Sequence, residues 1–173
     1  PFADVAEGDW YYEAVKYVYE EGVMEGISAT EFAPGKETSR AMIVTILYRL
    51  EKKPEASTEN AFTDIAKGDW YYEAVLWAAE KGIVKGVSES EFAPEDTLTR
   101  EQLVTILYRY AKYKGYDVSV GEDTNILSYT DAQEVSEYAV EAMQWACGAE
   151  IVKGEAGKLM PGASATRAQL AAI

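Results

Sequence analysis

Apolar residues recur along this chain at spacings of three and four, the period of a helix with one buried face. Tyr11, Ala14, Val15 and Val18 line one face of a first stretch, and Tyr71, Ala74, Val75 and Ala78 do the same sixty residues later. Ile43, Ile46, Leu47 and Leu50, matched by Leu103, Ile106, Leu107 and Tyr110, mark a second kind of helix. Asp9 and Asp69 stand as N-caps where the first kind begins. Gly22 and Gly82 stand where it ends and suit a left-handed C-terminal cap. Ser39 and Thr99 open the second kind. Thr99 and Gln102 form a capping box, whereas Met42 leaves the box of Ser39 incomplete. The pattern predicts paired helices near 9–21 and 39–51, 69–81 and 99–113, and 137–147 and 166–173. Turn-rich loops with short extended pieces join each pair. Polar linkers are expected at 51–60 and 114–127. The fold class is all-α.

The helices come from a repeat. "GDWYYEAV" occurs at 8–15 and again at 68–75. "EFAP" at 31–34 recurs at 91–94, and "VTILYR" at 44–49 recurs at 104–109. Phe2, Asp4, Gly22 and Gly26 match Phe62, Asp64, Gly82 and Gly86. A third, diverged copy keeps "YTDA" at 129–132, "EAMQWA" at 141–146 and "IVKG" at 151–154, with Tyr138 where Trp10 and Trp70 stood. Three helix-loop-helix units result, at 1–53, 61–113 and 128–173, the third short at its C-terminus. One such unit cannot bury both apolar faces, so the three are expected to pack together as one domain.

Composition narrows the chemistry. Sixteen basic residues face 30 acidic ones, a net charge of −14. A nucleic-acid partner is not expected, because counterion release needs a basic face. The chain has no His and one Cys, which removes His-dependent catalysis, Cys-rich zinc sites and an internal disulfide. No cofactor and no metal site is expected. "GEDTN" at 121–125 is too short for an EF-hand loop, and no carboxylate pair is singled out for glycoside hydrolysis. No apolar run approaches ~20 residues, so membrane insertion is not expected. Starting at Pro1 without a signal peptide, the chain is expected to be a piece of a longer precursor.

Three arginines pose a physical puzzle. Arg40, Arg100 and Arg167 each follow a Ser or Thr cap, in "TSRAM", "TREQ" and "ATRAQ". They fall in the first turn of a helix, where the macrodipole disfavours a cation by a few tenths to ~1 kcal/mol. A carboxylate ligand would reverse that balance, drawn by free N–H groups and a bidentate guanidinium.

The order F-x-D-V/I, W-Y-x-x-A-V, G-x-x-x-G, F-x-P and T-R-x-x resembles the S-layer homology repeat, and three copies resemble a complete S-layer homology domain. The resemblance covers nearly the whole chain. It implies a pseudo-threefold bundle of helical hairpins with three projecting prongs and ligand grooves between neighbouring repeats. It also implies a secreted, non-catalytic module at the cell wall or S-layer surface of Gram-positive cells. The implied partner is a secondary cell-wall polysaccharide, often carrying a pyruvyl ketal on an amino sugar. On this reading Arg40, Arg100 and Arg167 clamp the ligand's carboxylate.

Other candidates keep two readings each. Trp10, Trp70 and Tyr138 stack on sugar faces or anchor packing. Asp4, Asp64 and Asp131 orient the arginines and accept sugar hydroxyls, or serve turns. Gly26, Gly86 and Gly154 supply φ > 0 or close approach, or offer backbone to a ligand. Trp77, Trp145 and the thiol of Cys147 read as core. The competing functional class is a protein–protein assembly module of a surface protein. Oligomeric state is not legible.

Overall fold

The computed structural model describes residues 2–173; Pro1, where the first repeat is expected to begin, lies outside them. The helices are α1 (Tyr12–Glu20), α2 (Arg40–Leu50), α3 (Tyr72–Glu80), α4 (Arg100–Lys114), α5 (Val140–Gly148) and α6 (Arg167–Ala172). One-turn 3-10 helices lie at Ser119–Gly121, Ala132–Glu134 and Glu137–Ala139. Extended pairing among the described residues is limited to isolated bridges, so the all-α class holds.

Local sequence explains most boundaries. Thr99 and Gln102 bond reciprocally at 3.1 and 3.3 Å, and Thr166 and Gln169 do so at 3.0 and 3.3 Å. In the first copy the N–H of Ser39 meets the Met42 sulfur at 3.4 Å instead. Gly22 and Gly82 close α1 and α3 with φ of 67° and 70°. The N-cap role expected of Asp9 and Asp69 is not what the structure has. Their carboxylates accept the upstream N–H groups of Ala6 and Ala66, at 2.8 and 2.7 Å. That closes a turn ahead of the helix, so α1 and α3 start three residues after the aspartates.

The helices of one repeat do not pair with each other. α1 packs on α6, α2 on α3, and α4 on α5. Each first helix therefore lies on the second helix of the preceding copy, and the cycle closes from the third copy to the first. An extended stretch before each second helix carries the chain across. Its residues Thr38, Leu98 and Ala165 are all buried and bond in a ring. Leu98 N–H donates to Thr38 O at 2.8 Å, Ala165 N–H to Leu98 O at 2.8 Å, and Thr38 N–H to Ala165 O at 2.9 Å. These three bonds mark the pseudo-threefold axis.

Val15, Val18, Ile43, Leu47, Val75, Trp77 and Leu103 fill one apolar cluster, joined by Leu170 and Ala171 of α6. Met143, Trp145, Ala146 and Leu159 fill a second with Val104 and Ala111 of α4. Leu50, expected inside, is exposed because α2 ends there, beyond the packed faces. Segment 114–127 is more than a linker. Its 3-10 turn lies on α5, Ile126 is buried, and Gly121 sits so close to Trp145 that a Cβ would come within 3.0 Å of the Trp145 nitrogen.

Candidate functional site

The site is built from the prong loops upward. In each copy the loop residue after Phe32, Phe92 or Leu159 takes the left-handed conformation without being glycine: Ala33 (φ 57°), Ala93 (φ 56°) and Met160 (φ 51°). That costs about 1–2 kcal/mol per residue. An aspartate at the start of the copy offsets it. Asp4 accepts the N–H groups of Phe32 and Ala33 at 2.9 and 2.7 Å. Asp64 does the same for Phe92 and Ala93, and Asp131 for Leu159 and Met160. The Phe32 bond is the main force holding the Asp4 carboxyl below its ordinary range. At Asp64 and Asp131 burial opposes ionisation, but the paired N–H bonds outweigh it and those carboxyls also sit low. Gly26 and Gly86 lie where a Cβ would collide with loop carbonyls and with Phe2 or Phe62; Gly154 combines φ of 70° with the same crowding.

The loop so shaped turns its carbonyls toward the second helix of the preceding copy. Arg40 N–H donates to Asp96 O and Ala41 N–H to Pro94 O, at 3.1 and 2.9 Å. Arg100 and Glu101 meet Ala163 O and Pro161 O, and Arg167 and Ala168 meet Lys36 O and Pro34 O, all between 2.8 and 3.0 Å. The first-turn N–H groups expected to be free for a ligand are thus taken by the neighbouring loop, a correction to the sequence-based picture. What remains for a ligand is guanidinium edge.

The three arginines differ in how much edge they leave. Arg40 donates Nε to Phe92 O at 2.9 Å and Nη2 to Lys85 O at 2.8 Å, above the Phe92 ring. Arg167 repeats this on Phe32 O and Glu25 O, at 2.7 and 2.6 Å, above the Phe32 ring. Both are buried, and burial pushes both guanidinium groups below their ordinary value. Arg100 donates Nε to Leu159 O at 2.9 Å, and its Nη groups have no hydrogen-bond partner among the described residues. Two substitutions account for the difference. Leu159 replaces the phenylalanine, so no ring lies beneath. Tyr129 replaces Phe2 and Phe62, and its hydroxyl donates at 3.3 Å to Lys153 O, the equivalent of Lys85 O and Glu25 O.

Arg100 borders a cleft of about 610 Å³ that also takes in Trp10, Ile151, Lys153, Gly154 and Gln169. Of the residues singled out in the sequence, Arg100 of copy two, Gly154 of copy three and Trp10 of copy one are brought together here. In the third copy the charge of Arg40 acts on the Tyr138 phenol. Trp10, Trp70 and Tyr138 are 68%, 60% and 55% exposed, with each Trp edge-on to the tyrosine that follows it. Trp77 and Trp145 are buried, and burial pushes the half-buried thiol of Cys147 up.

Sequence reasoning passed over Glu101. Glu101 accepts the N–H and hydroxyl of Ser136, at 2.9 and 2.8 Å, and the Tyr138 hydroxyl at 3.2 Å. Burial first, then Glu101, pushes the Tyr138 phenol up to about 12. The signal was present: alanine fills this place in the other copies, at Ala41 and Ala168. Among the described residues no group of three His, Cys, Asp or Glu side chains is placed to hold a metal ion, and no helix is long and apolar enough to cross a membrane.

Comparison with known proteins picks out the same three copies. The S-layer homology domain pattern fits residues 1–41, 61–104 and 128–171. The chain is 33% identical to an endoglucanase of Bacillus sp. across 100% of its own length and 18% of that protein. It is 32% identical to the surface-layer 125 kDa protein of Lysinibacillus sphaericus, over 93% of the chain and 13% of that protein. It is 28% identical to the cellulosome-anchoring protein of Acetivibrio thermocellus, over 79% of the chain and 32% of that protein. The chain thus spans less than a third of each of these relatives.

Proposed function

This chain belongs to the S-layer homology family, and from that premise we propose that it is a non-catalytic module anchoring the protein that carries it to the cell surface. Its partner on this reading is a secondary cell-wall polysaccharide bearing a carboxylate, with a pyruvylated amino sugar as the preferred residue. The relatives support the anchoring role: one is a surface-layer protein, another a cellulosome-anchoring protein, and the endoglucanase shares only a fraction of its length with this chain.

The single observation that carries the glycan reading is the edge of Arg100. Its Nη donors face a cleft already furnished with an exposed indole and a glycine. A planar fork that meets no protein acceptor there suits a carboxylate, and Trp10 suits the apolar face of the sugar ring. The glycan's charge is met locally, because a protein at −14 repels an anionic polymer at long range.

The test is co-sedimentation with purified wall polysaccharide before and after removal of its pyruvate. Binding to the first and loss on the second supports the reading; equal binding to both sinks it. A protein–protein assembly role is the second reading. In its favour stands an apolar cavity of about 500 Å³ at the lower ends of α2, α4 and α6, bordered by the exposed Tyr17, Leu50, Tyr116 and Ile173.

A further inference from the structure

Segment 51–60 joins copies one and two through a strained bend. Lys52 and Lys53 stand one after the other in the left-handed conformation, with φ of 62° and 57°, where a side chain is disfavoured. Pro54 follows and biases Lys53 towards extended backbone. The prong loops also place a left-handed residue before Pro34, Pro94 and Pro161, but there Asp4, Asp64 and Asp131 hold the turn. Among the described residues no side chain does so for Lys52 and Lys53. Their N–H groups bond to Arg49 O and Tyr48 O, both at 2.9 Å, and residues 54–56 make no backbone hydrogen bond among the described residues. The second joint is the opposite. It opens on a glycine, Gly115 (φ 72°), and is packed on α5 through its 3-10 turn and the buried Ile126.

Copy one therefore hangs on the weaker joint. Its other ties to the molecule are noncovalent: α1 lies on α6, α2 on α3, and Arg167 donates to its Phe32 and Glu25 carbonyls. Glu51, just before the bend, accepts the Tyr110 hydroxyl at 2.5 Å and pairs with Lys114 at 2.8 Å. Beyond the bend the N–H groups of Ser57 and Thr58 are fixed to the Glu80 carboxylate of copy two. Residues 52–56 thus separate a residue that would travel with copy one from residues that would stay with copy two. Copy one of a second molecule offers the same faces.

We propose that two molecules exchange copy one: segment 52–56 opens to extended backbone, and copy one of each chain completes the ring of the other. The partner is a second copy of this chain, and each contact between copy one and its neighbours is remade across molecules. Only the joint changes, and opening it releases the left-handed pair; a short hinge under strain favours such exchange. The dimer holds two complete rings and presents two modules to one surface. The exchange is independent of what those modules bind.

The test unfolds the whole chain in urea, refolds it at high protein concentration and sizes the product by ultracentrifugation. A dimer should form and should return to monomer slowly on dilution, because two seams must open. Paired cysteines, in a Cys147→Ala background, report how it is built. Ser39 bridges to Thr97 between copies one and two, and Thr99 to Ser164 between copies two and three; such partners lie within disulfide reach. In the oxidised dimer Ser39→Cys with Thr97→Cys should join the two chains, whereas Thr99→Cys with Ser164→Cys should close within each chain. Lys53→Gly, which suits the left-handed backbone, should lower the dimerisation constant about tenfold, and Lys53→Val should raise it by about the same factor. Urea melts of the monomers check that each variant folds. If wild type and Lys53→Val both refold to monomer alone, the inference falls. It also falls if the Ser39→Cys, Thr97→Cys dimer is linked only within chains, or if the two Lys53 variants dimerise alike. The anchoring reading stands in each case.

Discussion

The junctions of Arg40 and Arg167 and the junction of Arg100 follow one plan and differ in two side chains. At the first pair a guanidinium lies over a phenylalanine ring and donates to two carbonyls of the next copy. At the third, Leu159 removes the ring and the Tyr129 hydroxyl claims the second carbonyl. Surrounded by protein acceptors, the arginine splices two repeats together. Relieved of half of them, it faces a cleft. The apparent conflict of a cation at a helix N-terminus dissolves differently in the two cases. Dipole repulsion of a few tenths to about 1 kcal/mol is outweighed by hydrogen bonds from a charged donor, about 1.5–3 kcal/mol each. With a single such bond, Arg100 has less to offset it and gains most from an anion.

The sharpest way to break this comparison is to remove a splice. Arg167→Ala leaves the Phe32 and Glu25 carbonyls without their donor, forfeits the cation–π contact and unlocks the closure of copy three on copy one. We expect a loss of about 3 kcal/mol, with Arg40→Ala close behind, read from urea midpoints. Equal and small losses at all three arginines would erase the distinction.

Next in size are the loop aspartates. Asp64→Ala frees the Phe92 and Ala93 N–H groups and the left-handed turn they hold, at a cost of about 2 kcal/mol. The same groups set acid stability. Their folded pKa values lie below the ordinary 3.8, so the unfolded chain takes up protons first as pH falls. The stability they contribute is complete above that value and is lost as pH drops through the folded pKa values. Denaturant titrations from pH 5 to pH 2 should show this decline, and Asp64→Ala should flatten it.

A smaller effect tests the cause of the asymmetry. Tyr129→Phe removes the hydroxyl that donates to Lys153 O, and Arg100 should then donate to that carbonyl. Stability should change by less than about 1 kcal/mol, while affinity for the pyruvylated polymer falls as the Arg100 edge is drawn back. Unchanged affinity would detach Tyr129 from the argument for the cleft. Smallest is Glu150→Gly. Glu150 takes the left-handed C-terminal position filled by Gly22 and Gly82, with φ of 60°. Glycine there should raise stability by about 0.5–1 kcal/mol in the third copy alone.

The six helices were legible because each carries its period and, in α2, α4 and α6, its cap. The copies were legible because "GDWYYEAV" and "VTILYR" repeat intact. Partnership was not. Hydrophobic period says that Val15 and Ile43 are buried without saying by whom, and the answer lies in the ring through Thr38, Leu98 and Ala165. Those three side chains share no chemistry, since the bonds are between backbones. The arginines stood out by position, but the difference between Arg40 and Arg167, each bonded to two carbonyls, and Arg100, bonded to one, goes with Tyr129, a hydroxyl placed 24 residues from the carbonyl it takes. The Asp9 and Asp69 misreading has a similar origin: an aspartate before a helix closes an upstream turn as readily as it caps.

The most direct measurement pairs Arg100→Ala with Arg167→Ala, taking the urea midpoint and the affinity for pyruvylated wall polymer of each. The account predicts opposite profiles. Arg100→Ala keeps its stability within about 1 kcal/mol and loses at least tenfold in affinity. Arg167→Ala loses about 3 kcal/mol, while its folded fraction still binds. If Arg100→Ala instead unfolds easily and binds normally, or the two variants behave alike, the division between splice and receptor is wrong.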